Sequence, residues 1–121
     1  MYNSSSIFVE VCIYEVKPDK TEQFERLIER VAKHHRNFPG VSEVRYMKRT
    51  HRQGAFGAVK KGEPPIRLTR APRSVTYILY WEMDSAETHG QATRSGLQHF
   101  FKEFRSCLLT TPKIMLGERV Q

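Results

Sequence analysis

The chain has 121 residues and carries 20 Lys and Arg against 13 Asp and Glu, a net charge of +7 at pH 7. Its hydrophobic fraction of 39% and charged fraction of 27% are typical of a soluble globular protein, and the length suits one domain over residues 1–121. No run of about 18 apolar residues is present and the start lacks the pattern of a secretory signal, so we expect a cytoplasmic protein without a membrane partner.

The first part of the chain predicts a strand, a helix and a second strand. Ile7 to Val16 carries apolar side chains on both alternating faces, which predicts a strand covered on both sides. Asp19, followed three residues later by Glu22, resembles a capping box and predicts the start of a helix. The apolar stripe of that helix recurs at helical spacing, at Phe24, Leu27, Ile28, Val31, His35 and Phe38. Pro39-Gly40 then ends the helix, and Val41 to Lys48 predicts the second strand.

The last part predicts a strand, a helix and a final strand. Val75 to Met83 alternates large apolar and aromatic residues and predicts the third strand. Asp84 with Glu87 repeats the capping pattern and predicts the next helix. Apolar residues recur in its second half at helical spacing, at Leu97, Phe100, Phe101, Phe104 and Leu108. After Pro112, Lys113 to Val120 predicts the fourth strand.

This order predicts an α+β, ferredoxin-like split βαβ sandwich (β-α-β-β-α-β), with two helices on one face of an antiparallel four-stranded sheet. The other sheet face is left open, yet the first and third strands are apolar on both sides. A second copy packed sheet against sheet would cover it, so we expect a homodimer that forms a dimeric α/β barrel.

The excess positive charge lies in an insert at about 48–74, between the second and third strands. Within 48–73 there is one acid, Glu63, against eight cations: Lys48, Arg49, Arg52, Lys60, Lys61, Arg67, Arg70 and Arg73. One interpretation is a flexible arm or extended hairpin. A second is a lid whose Arg67, Arg70 or Arg73 binds an anionic group of a substrate. A third is a nucleic-acid arm, which is disfavoured because Phe56 is its only aromatic residue.

Several segments resemble the antibiotic-biosynthesis-monooxygenase-like family of dimeric α/β barrels. They cover most of the chain outside the insert: Ile13–Pro18, Phe38–Val41, Tyr80–Glu82, Asp84–Glu87 and His99–Phe104. The resemblance implies a homodimer with a ligand pocket between sheet and helices in each subunit. It also implies activities such as cofactor-free oxygenation of phenolic polyketides, quinol oxidation or haem degradation.

The sequence departs from parts of that family. The haem-degrading branch uses an Asn, a Trp and a His at places that align with Val11, His89–Gly90 and Arg105, so we do not expect haem degradation. Many relatives also carry an acid two residues before the strand Trp, where this chain has Leu79. The long insert is atypical as well.

Six residues are candidates for the ligand pocket. His89 and His35 are candidate general bases, because an imidazole with a near-neutral pKa suits removal of a phenolic proton. Trp81, Tyr77, Tyr14 and Phe100 are candidates for an aromatic wall around a flat substrate. The alternative for each is a role in core or dimer packing.

Metal and thiol chemistry are not favoured. The adjacent His34 and His35 point to different sides of a helix, and no His or Cys cluster has metal-ligand spacing. Cys12 and Cys107 lie in apolar patterns and are expected to be reduced, buried packing residues.

The resulting hypothesis is a cofactor-independent monooxygenase acting on a small phenol- or quinone-like aromatic substrate, with neither metal nor organic cofactor. The alternatives are a non-catalytic dimer that binds a small ligand, and anion or nucleic-acid binding through the 48–73 arm.

Overall fold

The computed structural model describes residues 6–70 and 72–121. The main sheet consists of β1 (Phe8–Val16), β2 (Val41–Lys48), β5 (Val75–Met83) and β6 (Lys113–Glu118). The long helices are α1 (Thr21–Arg36), which follows a 3-10 turn at Pro18–Lys20, and α3 (Ala86–Cys107). The segment between β2 and β5 adds three short elements: β3 (His51–Arg52), α2 (Phe56–Lys60) and β4 (Ile66–Arg67).

The four long strands form one antiparallel sheet in the order β2-β5-β1-β6. This order, with α1 and α3 packed on each other and against the sheet, confirms the predicted α+β ferredoxin-like sandwich. In the sheet register, Trp81 of β5 lies between Glu10 of β1 and Val44 of β2. The third residue of β1 is therefore the direct neighbour of the seventh residue of β5.

Strand alternation places the core on the helix side of the sheet. Every second residue of β1 and β5 is buried there, because its side chain points toward α1 and α3. Among these, Trp81, Tyr77 and Met83 are the largest that are at most 2% exposed, and they pack with Phe24 and Leu27 of α1. The predicted buried stripe of the first helix is confirmed for Phe24, Leu27, Ile28, Val31 and His35.

Both predicted helix starts are wrong in detail. Asp19 lies inside the 3-10 turn, and α1 begins at Thr21 after Lys20, which makes no side-chain capping bond. At α3 the N-cap is Ser85, whose hydroxyl accepts a hydrogen bond from the backbone N–H of Thr88. The side chain of Asp84 instead accepts a hydrogen bond from the Thr88 hydroxyl. Several neighbouring polar residues can cap a helix, and the approach of the chain decides which one does.

The predicted apolar stripe of α3 is also only partly buried. Phe100, Phe104 and Leu108 pack against the core, whereas Leu97 and Phe101 are about half exposed, at 49% and 51%. Leu97 and Phe101 face the gap between α3 and β6, where no helix or strand of the described residues covers them. This gap is the entrance of the cavity described below.

The insert forms a small projecting unit, which we call the basic arm (residues 49–73). In it β3 and β4 pair as a two-stranded antiparallel ribbon, and the Leu68 N–H donates to the Thr50 carbonyl at 2.9 Å. The five-residue helix α2 lies between the two strands and ends at a turn where Gly62 has φ +77°. The extended-hairpin interpretation of this segment therefore describes it best.

The second face of the sheet has no helix on it within the described residues. It carries partly exposed apolar side chains from all four strands: Val9, Val11, Ile13, Met47, Ile78, Tyr80 and Met115. We call this set the open face. In the described ranges, 6–70 and 72–121, no helix is long and apolar enough to span a bilayer.

Candidate active site

A cavity of about 710 Å³ lies on the helix side of the sheet. Its floor is formed by β1 and β5 and its walls by α1 and α3. The segment from Leu108 to Ile114 borders its opening. Most of the lining is apolar, which suits a small, largely hydrophobic ligand. The apolar walls leave a few polar groups to decide what binds.

Glu10 is the acidic group in the cavity lining among the described residues. It lies at a buried position of β1 and is only 6% exposed. The indole Nε1 of Trp81 donates to Oε1 of Glu10 at 3.0 Å, and Nε2 of His89 lies 2.5 Å from the same oxygen. Carboxylate oxygens accept hydrogen bonds, and His89 donates here in the tautomer that carries its proton on Nε2. These bonds hold a buried carboxylate in one orientation at the cavity wall.

His35 lies beside this pair and is 6% exposed. Its ring stacks on Trp81 with a centroid separation of 4.3 Å and an interplanar angle of 20°. Neither ring nitrogen has a hydrogen-bond partner among the described residues, although the Ala92 carbonyl is close enough to favour the protonated ring slightly. Burial, and to a smaller extent His34 and His89, lower the pKa of His35 to about 4. The ring is therefore neutral at pH 7.

Gly96 makes room for this arrangement. A Cβ built at residue 96 would lie 2.7 Å from Nε2 of His35, which is closer than real Cβ contacts. Gly96 is buried on the face of α3 that meets α1. A Cβ built at Gly90, in contrast, would have no atom of the described residues within 4 Å. The glycine at 96 therefore lets α3 approach α1 closely enough to enclose the imidazole.

Cys12 and Tyr14 also line the cavity, and both are protonated at pH 7. Burial raises the pKa of the Cys12 thiol to about 11. Burial, with Tyr46 and Cys12 nearby, raises the pKa of Tyr14 well above its ordinary value. A thiolate is needed for nucleophilic chemistry, so Cys12 acts here as a packing group. Both cysteines are free and buried, as the sequence predicted.

The cavity brings together only some of the predicted site residues. Trp81, Tyr14 and His35 line it, and His89 contacts it through Glu10. Tyr77 lies away from it, in contact with Phe24, and its hydroxyl donates to Glu25. Phe100 also lies outside the lining and packs between the two helices, against His34 and Arg30 of α1. These two aromatic rings pack the protein interior and the helix pair.

The three arginines predicted as a lid do not reach the cavity. Arg67, Arg70 and Arg73 are exposed on the basic arm, and none lines the cavity. The arm leaves the sheet between β2 and β5, whereas the cavity opens beside β6 at the opposite sheet edge. The cavity lining contains a different arginine, Arg105 of α3.

Sequence reasoning missed Glu10 as a site residue. Its signal was available, because a glutamate stands in the middle of a strand face that is otherwise Phe8, Cys12, Tyr14 and Val16. A charged residue on a buried strand face needs partners, and those partners lie 71 and 79 positions away. No three His, Cys, Asp or Glu side chains of the described residues are grouped to hold a metal ion.

The fold is shared with many solved structures. A "putative antibiotic biosynthesis monooxygenase" from Nitrosomonas europaea superposes with a TM-score of 0.67 at 15% identity, covering 99% of this chain and 96% of that one. One of the same description from Caulobacter crescentus gives 0.68 at 13%, covering 97% and 92%. A variant of SnoaB from Streptomyces nogalater, a cofactor-independent oxygenase, gives 0.63 at 14%, covering 95% and 94%.

This chain has the monooxygenase-like fold. The match spans nearly the whole chain in each case, so the predicted resemblance is confirmed at the level of architecture. No protein-family model matches the sequence, and no curated protein matches it either. At these identities the monooxygenase-like fold by itself does not fix the reaction, which has to be argued from the site.

Proposed function

We propose that this protein is a monooxygenase-like enzyme that oxidises a small phenolic aromatic substrate with dioxygen, without a metal or organic cofactor. The observation that carries the proposal is the buried Glu10 carboxylate, held by Trp81 and His89 in the wall of an apolar cavity. A base of this kind is what the reaction needs, because the substrate must lose a proton before it reacts with O₂.

The cavity supports an aromatic substrate. Trp81 and Tyr14 give it flat aromatic surface, and Leu79 and Phe104 add apolar area. Its volume of about 710 Å³ falls within the range of small-molecule sites. A planar ring system would bury most of its surface there, with an ionisable hydroxyl placed toward Glu10.

The reaction follows from the arrangement of these groups. Both hydrogen bonds to Glu10 use Oε1, so we assign Oε2 to the substrate proton. In the enol tautomer of the substrate the ring CH₂ carbon is aromatic, and loss of the proton from the enol hydroxyl gives a phenolate whose charge extends onto that carbon, which attacks O₂. A ring CH₂ group then becomes a carbonyl: R₂CH₂ and O₂ give R₂C=O and H₂O. O₂ is reduced by the four electrons that the substrate loses, and the proton on Glu10 leaves with the water.

His89 acts through Glu10 in this scheme. It lies behind the carboxylate rather than in the cavity lining, so it is a positioning residue. SnoaB has the same fold and is described as a cofactor-independent oxygenase, which supports the reaction class for this chain.

We further propose a homodimer in which two open faces pack together. Val11, Ile78 and Met115 are partly or largely exposed in one chain, and together with their neighbours they form a continuous apolar surface. A surface of this composition is typical of an association site. A two-fold sheet-on-sheet arrangement covers it on both copies at once.

One pair of measurements tests the proposed function. Trp81 is the chain's only tryptophan, so its fluorescence reports what enters the cavity. We expect quenching by 1,8-dihydroxyanthraquinone, and O₂ uptake with 1,8-dihydroxyanthrone above its spontaneous oxidation. Quenching without enzymatic O₂ uptake would favour the non-catalytic ligand-binding dimer. Absence of both would reject the cavity as a site for this substrate class.

A further inference from the structure

The basic arm combines two kinds of exposed side chain. All seven cations of the arm are exposed, as is Lys48 at the end of β2 just before it. Four large apolar side chains of the arm are exposed too: Phe56 at 77%, Val59 at 37%, Ile66 at 42% and Leu68 at 36%. Outside 48–73 the chain has equal numbers of Lys or Arg and Asp or Glu, twelve of each, so the positive field originates in this arm.

The ribbon geometry arranges these residues on a small unit that projects from the sheet. Arg52 pairs with Ile66, and Thr50 lies opposite Leu68, so Arg52, Ile66 and Leu68 share one ribbon face. On α2 the Lys60 ammonium lies 5.6 Å from the ring centre of Phe56. Cationic and apolar groups therefore occur side by side at both the base and the end of the arm.

We propose that the basic arm docks this protein on an anionic phospholipid surface. Lys and Arg are attracted to the negative headgroups, while Phe56 and the aliphatic side chains enter the boundary between headgroups and acyl chains. Charge and apolar insertion together supply the two signals that stable surface binding requires. This contact is peripheral and needs no membrane-spanning helix.

The apolar residues decide between a lipid surface and a nucleic acid. A phosphate backbone uses the cations, and bases stack on aromatic rings, of which the arm has one. Three exposed aliphatic side chains, Val59, Ile66 and Leu68, gain nothing from such a ligand but are buried by a bilayer interface. Docking by the arm does not depend on what the cavity binds, because no residue of the arm lines the cavity.

Vesicle sedimentation of the full chain tests the proposal. We expect binding to phosphatidylcholine vesicles that contain about 30% phosphatidylglycerol, little binding to pure phosphatidylcholine, and weaker binding as NaCl rises from about 50 to about 300 mM. Phe56→Ser should weaken binding about tenfold, and Lys60→Gln with Lys61→Gln about 25-fold, near fivefold for each charge. These side chains are exposed, so the variants should keep the wild-type circular dichroism spectrum.

Matched controls change similar side chains elsewhere. Lys33→Gln with Arg94→Gln removes two exposed charges from α1 and α3, and Val120→Ser removes an apolar side chain that is 99% exposed. Both should bind vesicles like the wild type. Equal losses in the controls, or no binding of the wild type to anionic vesicles, would overturn the proposal. Binding of a single-stranded oligonucleotide but not of vesicles would replace it with a nucleic-acid arm. Arm variants that change only the oligomeric state would instead assign the arm to a second copy.

Discussion

Nε2 of His89 lies 2.5 Å from Oε1 of Glu10, although the two residues are 79 positions apart in the sequence. Glu10 is the third residue of β1, and His89 lies in the first turn of α3. The same carboxylate oxygen accepts the indole N–H of Trp81, so a helix and two strands meet at one buried acid. The predictions below test what this contact and its neighbours do.

Replacement of the acid by Glu10→Gln should abolish turnover while retaining the ligand. The amide oxygen can still accept the Trp81 N–H, but it takes no proton at neutral pH, so O₂ uptake with 1,8-dihydroxyanthrone should fall by about 10²–10⁴-fold. The apparent Kd of the anthraquinone, measured by quenching of Trp81 fluorescence, should change by less than about fivefold. Glu82→Gln, on the other sheet face, is the matched control. An active Glu10→Gln enzyme would contradict the proposed base.

His89→Ala should lower the rate without removing the ligand site. The expected loss is about 10-fold or more in kcat, because the carboxylate loses a hydrogen bond that orients it. His89→Gln keeps a donor and should recover part of the rate. The pH profile separates this role from simple packing: it should change in His89→Gln even when the thermal stability does not. An unchanged rate and profile in His89→Ala would exclude His89 from the reaction.

Acid should destabilise the protein through His35. Its folded pKa of about 4 lies below the ordinary value of 6.5, so the unfolded chain binds the proton more tightly. The stability that this residue contributes is complete above pH 6.5 and is lost as the pH falls toward 4, by roughly 3 kcal/mol in total. Urea unfolding at several pH values should show this loss in the wild type. His35→Phe and His35→Gln should both lack that part of the pH dependence.

Two glycines of α3 form a matched pair. Gly96→Ala places a Cβ 2.7 Å from Nε2 of His35 and should destabilise the protein by about 1–3 kcal/mol, despite the higher helix propensity of alanine. Gly90→Ala meets nothing within 4 Å and should stabilise it by about 0.5–1 kcal/mol. Thermal and urea unfolding of both variants give the comparison. Equal effects of the two substitutions would show that the close contact at residue 96 is not required.

A charge on the open face should separate the proposed dimer. Val11 lies between Tyr80 and Met115 in the sheet register. In Val11→Glu, a sheet-on-sheet interface would bury the new carboxylate. Light scattering after gel filtration should report a dimer for the wild type and a monomer for this variant. Phe56→Glu changes an exposed apolar position on the basic arm, away from the open face, and should remain dimeric. A monomeric wild type would remove the basis for this interface.

Much of the architecture was readable from local patterns. The alternation in Val75–Met83 predicted a core strand, and the spacing of Phe24, Leu27 and Val31 predicted a core helix. Both predictions work because buried side chains recur every second residue in a strand and every three to four residues in a helix. Helix starts were less readable. Asp19 and Asp84 are good capping residues. The N-cap positions instead fall at Lys20, which makes no side-chain capping bond, and at Ser85, because the direction in which the chain enters a helix is set by its packing.

The sequence by itself determined the order of the elements, the open apolar face and the concentration of positive charge in one insert. Only the tertiary structure decided that Glu10, Trp81, His89 and His35 form one group, and that Tyr77 and Phe100 lie outside it. The physical reason is the range of the interactions. Periodicity and charge runs are properties of neighbouring residues, whereas the contacts of Glu10 depend on strand register and on how closely α3 approaches α1, which Gly96 permits.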